Sequence, residues 1–116
     1  MPVSLTLRNK EKRMTDTMEV AEIVTFRLIE GRSEADFTAA ARAVETRFRE
    51  GGQMRARCLS RAPDGTWTDH VVWSSQAAAE AASREVMTAP DCAPFMAMID
   101  AASVAMSHGR IARRMD

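Results

Sequence analysis

The chain of 116 residues carries only two cysteines, Cys58 and Cys92, far apart and in no Cys-x-x-Cys pattern. That argues against a disulfide framework and a cysteine zinc site, and leaves two buried thiols in a reducing cytoplasm as the expectation. An excess of one charge is missing as well. Lys+Arg and Asp+Glu balance at 16 each, so no basic field draws nucleic acid and no acidic tail is present. No apolar run approaches the ~20 residues that a membrane span requires. Near the N-terminus a short apolar run, Val3 to Leu7, comes before the charged segment Arg8–Arg13, which is the wrong order for a secretory signal. Residues 1–18 read as a flexible arm, in which Met14 or Met18 is a possible true start. The two histidines, His70 and His108, have no companion ligands in sequence, so neither a metal nor another cofactor is expected. Gly51-Gly52 lacks the Gly-x-Gly-x-x-Gly spacing of a dinucleotide loop.

The chain does have the length and apolar content of one domain with a single core. Glu19–Ile29 reads as a first strand, with Val24, Phe26 and Leu28 on one face and Ile23, Thr25 and Arg27 on the other. Ser33 caps a helix, with Asp36 at the reciprocal position, and Phe37, Ala40, Ala41, Val44 and Phe48 form its buried stripe. Gly51-Gly52 stops it near Glu50. An alanine-rich helix starts at Ser74 or Ser75 and runs to Met87. After Pro90, Asp91 is placed to cap a short helix to about Ile99, and Ser103–His108 reads as a last strand. The order is β-α-β-β-α-β with one extra helix, the split βαβ pattern of ferredoxin-like α+β folds. The domain spans residues 19–110, and 111–116 form a polar tail.

Between the helices, Arg55–Trp73 reads as a β-hairpin around the turn Ala62-Pro63-Asp64-Gly65. Pairing Ala62 with Thr66 fixes the register. One face then carries Arg55, Arg57, Leu59 and Arg61 opposite Trp73, Val71, Asp69 and Trp67. The other carries Met54, Ala56, Cys58 and Ser60 opposite Ser74, Val72, His70 and Thr68. Small residues suit the underside of alanine-rich helices, so the expectation turns the second face toward them. The tryptophan face is then left open for a second copy of the chain.

The strand Glu22-Ile23-Val24-Thr25-Phe26, the segment Trp67-Thr68-Asp69-His70-Val71-Val72-Trp73 and the alanine-rich helix after it resemble the dimeric α+β barrel superfamily. That superfamily includes the antibiotic-biosynthesis-type monooxygenases, and the likeness covers about residues 19–110. It implies two ferredoxin-like sheets meeting face to face as a homodimer, with a pocket between sheet and helices or within the barrel. Those monooxygenases often carry a histidine in the helix after the third strand. Here the region reads Asp91-Cys92-Ala93-Pro94-Phe95, so no haem ligand and no catalytic residue is carried over.

The strongest local constellation is Arg57, Trp67, Asp69 and Trp73, with Arg55 and Arg61 nearby and Arg27 on the adjoining strand. Guanidinium groups beside indoles could receive a planar aromatic or anionic ligand, with Asp69 orienting it. The favoured reading of the same residues is a cross-strand network at a dimer seam, in which Asp69 pairs with Arg57 or Arg27. Asp69 and His108 are the candidates for proton handling, and Glu22 with Asp69 forms a possible pair of acids. His70 beside Cys58 is read as a core histidine next to an inert thiol, with a nucleophilic pair as the alternative. The sequence therefore points to a small-molecule-binding or structural homodimer, with a cofactor-independent monooxygenase or isomerase of aromatic or polyketide-like substrates as the alternative.

Overall fold

A computed structural model of the chain describes residues 18–115, so all of the expected N-terminal arm except Met18 lies outside the described residues. The strands are β1 (Val20–Phe26), β2 (Met54–Arg61), β3 (Trp67–Trp73) and β4 (Ala105–Arg110), and the helices α1 (Glu34–Glu50), α2 (Gln76–Val86) and α3 (Ala93–Met98). The strands form one antiparallel sheet in the order β2-β3-β1-β4, the ferredoxin-like arrangement.

Local chemistry sets the boundaries. The Ser33 hydroxyl accepts the Asp36 N–H at 3.0 Å and opens α1, and Phe37, Ala41, Val44 and Phe48 are its buried stripe. Ser75 opens α2 in the same way, through Ala78 N–H at 3.0 Å. In the hairpin turn, Gly65 N–H donates to Ala62 O at 2.9 Å and Ala62 N–H to Thr66 O at 2.8 Å. Gly65 sits at φ +89°, which an L side chain rarely adopts. The Asp64 carboxylate accepts the Thr66 N–H at 2.9 Å, and that bond holds its carboxyl below the usual range.

The tryptophan face is turned the opposite way from the sequence expectation. Trp67, Val71 and Trp73 are 3%, 2% and 4% exposed and belong to the core beneath the helices. Trp67 meets Phe37 of α1 edge-on at 5.0 Å between ring centroids, and Trp73 meets Phe48 at 5.5 Å. The physical reason is volume. The buried residues of α2 are Ala79 and Ala82, and small side chains on a helix need large ones on the sheet to reach native packing density. Small against small would leave the layer between them hollow. The sheet face with Ile23, His70 and Cys58 therefore points away from the helices, and these three side chains are exposed. The proposed seam through Trp67 and Trp73 does not exist.

Four smaller differences follow from local geometry. The β2–β3 register shifts between Met54 and Ala56, so Met54 rather than Arg55 stands opposite Trp73. Asp91 caps no helix, since α3 is preceded by a 3-10 turn at Pro90–Cys92. Its carboxylate instead takes Arg47 Nη1 at 2.9 Å, tying that turn to α1. The last strand is delayed by a second 3-10 turn at Ala101–Ser103, where Ser103 Oγ accepts the Arg27 N–H at 2.8 Å. Cys92 is fully buried, and burial raises its thiol pKa, whereas Cys58 is exposed rather than buried and His70 is not a core residue.

Candidate functional site

A cavity of about 320 Å³ opens between the inner face of the sheet and helices α2 and α3. It sits within the size range of small-molecule sites. Its walls are mainly apolar: Val24, Phe26 and Val71 from the sheet, Val86 from α2, Phe95 and Met96 from α3. The polar side chains on the lining are Glu22, Arg57, Asp69 and Ser83, together with the indole of Trp73.

Arg57 and Asp69 satisfy each other. Arg57 Nε donates to Asp69 Oδ1 at 2.9 Å and Nη2 to Oδ2 at 2.6 Å, a bidentate pair. Arg57 Nη1 also donates to the Ala41 carbonyl of α1 at 2.8 Å, and the guanidinium lies 5.4 Å from the Phe95 ring centroid. The pair brings no net charge to the cavity. Of the two partners considered for Asp69, Arg57 is the one that binds it.

Two other groups are less fully engaged. Trp73 Nε1 is buried with no hydrogen-bond partner. A buried N–H with no acceptor costs about 1–3 kcal/mol, so its presence beside a cavity calls for an explanation. The Glu22 side chain is 9% exposed, and its Oε2 lies 2.7 Å from His108 Nε2 on the neighbouring edge strand. Val24 stands opposite Asp69 and Glu22 opposite Val71, so both acids project from one face, two residues apart along the pairing.

Arg57, Asp69 and Trp73 therefore meet at the cavity, and His108 stands behind Glu22. Trp67 and Arg27 are elsewhere, beside a shallow polar depression at the hairpin end of the sheet. Arg27 clamps the turn, donating from Nη2 to Asp64 O at 2.7 Å and from Nη1 to Thr66 Oγ1 at 3.3 Å. His70 and Cys58 are cross-strand neighbours on the outer face, away from the cavity. The sequence reading weighed Glu22 only as a partner of Asp69. The signal that singles it out is a lone acid on the strand face that also carries Val24 and Phe26, and it is legible only once that face is known to be the inner one. Among the described residues, no group of three or more His, Cys, Asp or Glu is placed to hold a metal ion. None of their helices is long and apolar enough to cross a membrane.

A four-stranded antiparallel sheet with helices on one face, and a cavity between the layers, makes this a ferredoxin-like α+β fold. No family model matches the chain, and no curated protein matches it significantly. Among solved structures it is similar to SnoaB, a cofactor-independent oxygenase from Streptomyces nogalater, with 18% identity, a TM-score of 0.60 and coverage of 84% of this chain and 95% of that one. An antibiotic biosynthesis monooxygenase-type protein from Bordetella bronchiseptica superposes with a TM-score of 0.67 at 17% identity, covering 83% of this chain and 99% of the other. One from Caulobacter crescentus gives 0.65 at 9% identity, covering 90% and 99%. What the chain shares with these proteins is the fold.

Proposed function

We propose that this chain binds a flat, largely apolar small molecule with one hydrogen-bond-accepting oxygen, such as an aromatic ketone, in the sheet–helix cavity. The observation that carries this reading is Trp73 Nε1, a buried donor without a partner on the wall of an apolar cavity. A ligand carbonyl that displaces the side chains covering this N–H would satisfy it while the rings lie against Phe95, Val71 and Met96. An anionic ligand has less support, because Asp69 already neutralises Arg57. Titrating 2-tetralone while following tryptophan fluorescence should give saturable quenching. Trp73→Phe keeps most of the volume but loses the N–H, and should weaken binding roughly tenfold. Ala82→Phe should block it by filling the cavity. Absence of saturable binding to the wild-type chain would overturn the reading.

Within this reading, cofactor-independent monooxygenase or isomerase chemistry on an aromatic or polyketide-like substrate is supported by one further observation, the Glu22–His108 pair beside the cavity. The fold shared with a cofactor-independent oxygenase points the same way.

Two copies of the chain pair, in this proposal, through the outer sheet face rather than the tryptophan face. That face carries Ala21, Ile23 and Thr25 of β1, Val72 of β3 and Ala56 of β2. Ile23 is 42% exposed there, and the small neighbours allow a second sheet to approach to the usual ~10 Å. Sedimentation should give a dimer, and Ile23→Lys should shift it to monomer without lowering thermal stability. A wild-type monomer at micromolar concentration would end the idea. Two cysteines, both free, suit a reducing compartment, and we place the protein in the cytoplasm on that ground.

A further inference from the structure

Resting on the binding reading above, we infer that Glu22 is a general base that removes a proton from carbon next to the ligand's carbonyl, with His108 as its positioning residue. The argument begins by elimination among the polar groups on the cavity wall. Both oxygens of Asp69 are taken by Arg57, at 2.9 and 2.6 Å, so this carboxylate has its strongest acceptor directions occupied. Arg57 is a donor only. Ser83 is an exposed hydroxyl at the rim, a weak base by itself. Glu22 is different. Its carboxylate makes one side-chain hydrogen bond rather than two, with His108 Nε2 on Oε2 at 2.7 Å. Its other oxygen, Oε1, is left to accept a proton from a cavity occupant.

The surroundings favour that task. A carboxylate in a water-poor, apolar pocket is a recurrent base for abstraction beside a carbonyl, provided a donor stabilises the oxygen that becomes negative. Trp73 Nε1 is such a donor and is otherwise unengaged. The step balances without an oxidant or cofactor. The C–H bond breaks, its proton goes to Glu22 Oε1, its electron pair forms a C=C bond to the carbonyl carbon, and the C=O π pair moves onto oxygen to give an enolate bonded to the indole N–H. The reverse step returns a proton from Glu22 to carbon.

His108 adds what a buried acid lacks. Its side chain is 25% exposed against 9% for Glu22, and it comes from the edge strand β4, where it is paired to Glu22 in the ladder. With a proton on Nε2 it donates to Oε2 and holds the carboxylate in place. Glu22 meets the substrate and is the catalytic residue, while His108 acts through it.

The test is hydrogen–deuterium exchange at the activated methylene of 2-tetralone in D2O under argon, followed by NMR, with tryptophan quenching recorded on the same samples. The wild-type chain should speed exchange over buffer. Glu22→Gln should cut the enzyme-dependent rate by roughly 10²–10⁴-fold while still quenching, and Glu22→Asp should retain part of the rate. His108→Leu should lower the rate about tenfold or more, and His108→Gln, which keeps a donor for Oε2, should restore most of it. Binding by the wild-type chain without faster exchange, or Glu22→Gln exchanging like wild type, would overturn the base assignment and leave the binding reading standing. Wild-type rates in His108→Leu would remove the role of His108. Failure of 2-tetralone to bind at all would overturn the binding reading instead.

Discussion

Asp69→Ala is expected to destabilise the fold by about 3–5 kcal/mol, because it leaves the Arg57 guanidinium buried and unpaired. The Arg57 and Asp69 side chains are only 5% and 10% exposed, so water cannot replace the lost carboxylate. Nη1 would keep the Ala41 carbonyl at 2.8 Å, but Nε and Nη2 would lose both acceptors at once. Small domains hold about 5–15 kcal/mol in total, so the loss is a large part of what is available. For a domain near this size, each kcal/mol moves Tm by roughly 4–8 °C, and a fall of more than ~12 °C should be visible by circular dichroism. Replacing both partners, Arg57→Met with Asp69→Leu, should recover most of the stability, since a well-packed apolar pair commonly matches a buried ion pair. An Asp69→Ala chain within 1 kcal/mol of wild type would mean that the bidentate pair is not closed in solution.

That pair also shows how far the sequence could be read. The register bringing Arg57 and Asp69 onto one face followed from the Ala62-Pro63-Asp64-Gly65 turn, and the observed pairing of Leu59 with Asp69 and Arg61 with Trp67 agrees with it. Element order and the Ser33 and Ser75 caps were equally legible, because each is written in a few adjacent residues. The direction of that face was not. Alternation separates the two sides of a strand but carries no sign, and the sign depends on the volume that α2 leaves unfilled. Three arginines on the tryptophan side made it look wet. In the fold each is dealt with separately: Arg57 by Asp69, Arg61 by its place at the sheet's end, and Arg55 by the bulge that moves it out to Glu19 at 3.5 Å. The cavity inherits this difficulty. Arg57, Asp69 and Trp73 were named from the sequence, but Glu22 gains its place only when β4 closes over β1 and sets His108 against it.

Trp67→Ala separates the two possible faces by experiment. With the indole 3% exposed, the substitution should cost about 3–5 kcal/mol through lost burial and the space left behind. Part of that cost comes from a run of rings. Trp67 meets Phe37 at 5.0 Å, Phe37 meets Phe26 at 5.6 Å, and Phe37 stacks on Phe95 at 4.9 Å. Phe26 and Phe95 are also walls of the cavity, so removing the indole loosens the supports of the binding site without touching the ligand. Weaker 2-tetralone binding should therefore accompany the lower stability. Self-association, measured by sedimentation under conditions where the variant is folded, should stay at the wild-type level, in contrast to Ile23→Lys. A Trp67→Ala chain that keeps its stability but loses association would place the indole on a subunit boundary and return the outer face to solvent.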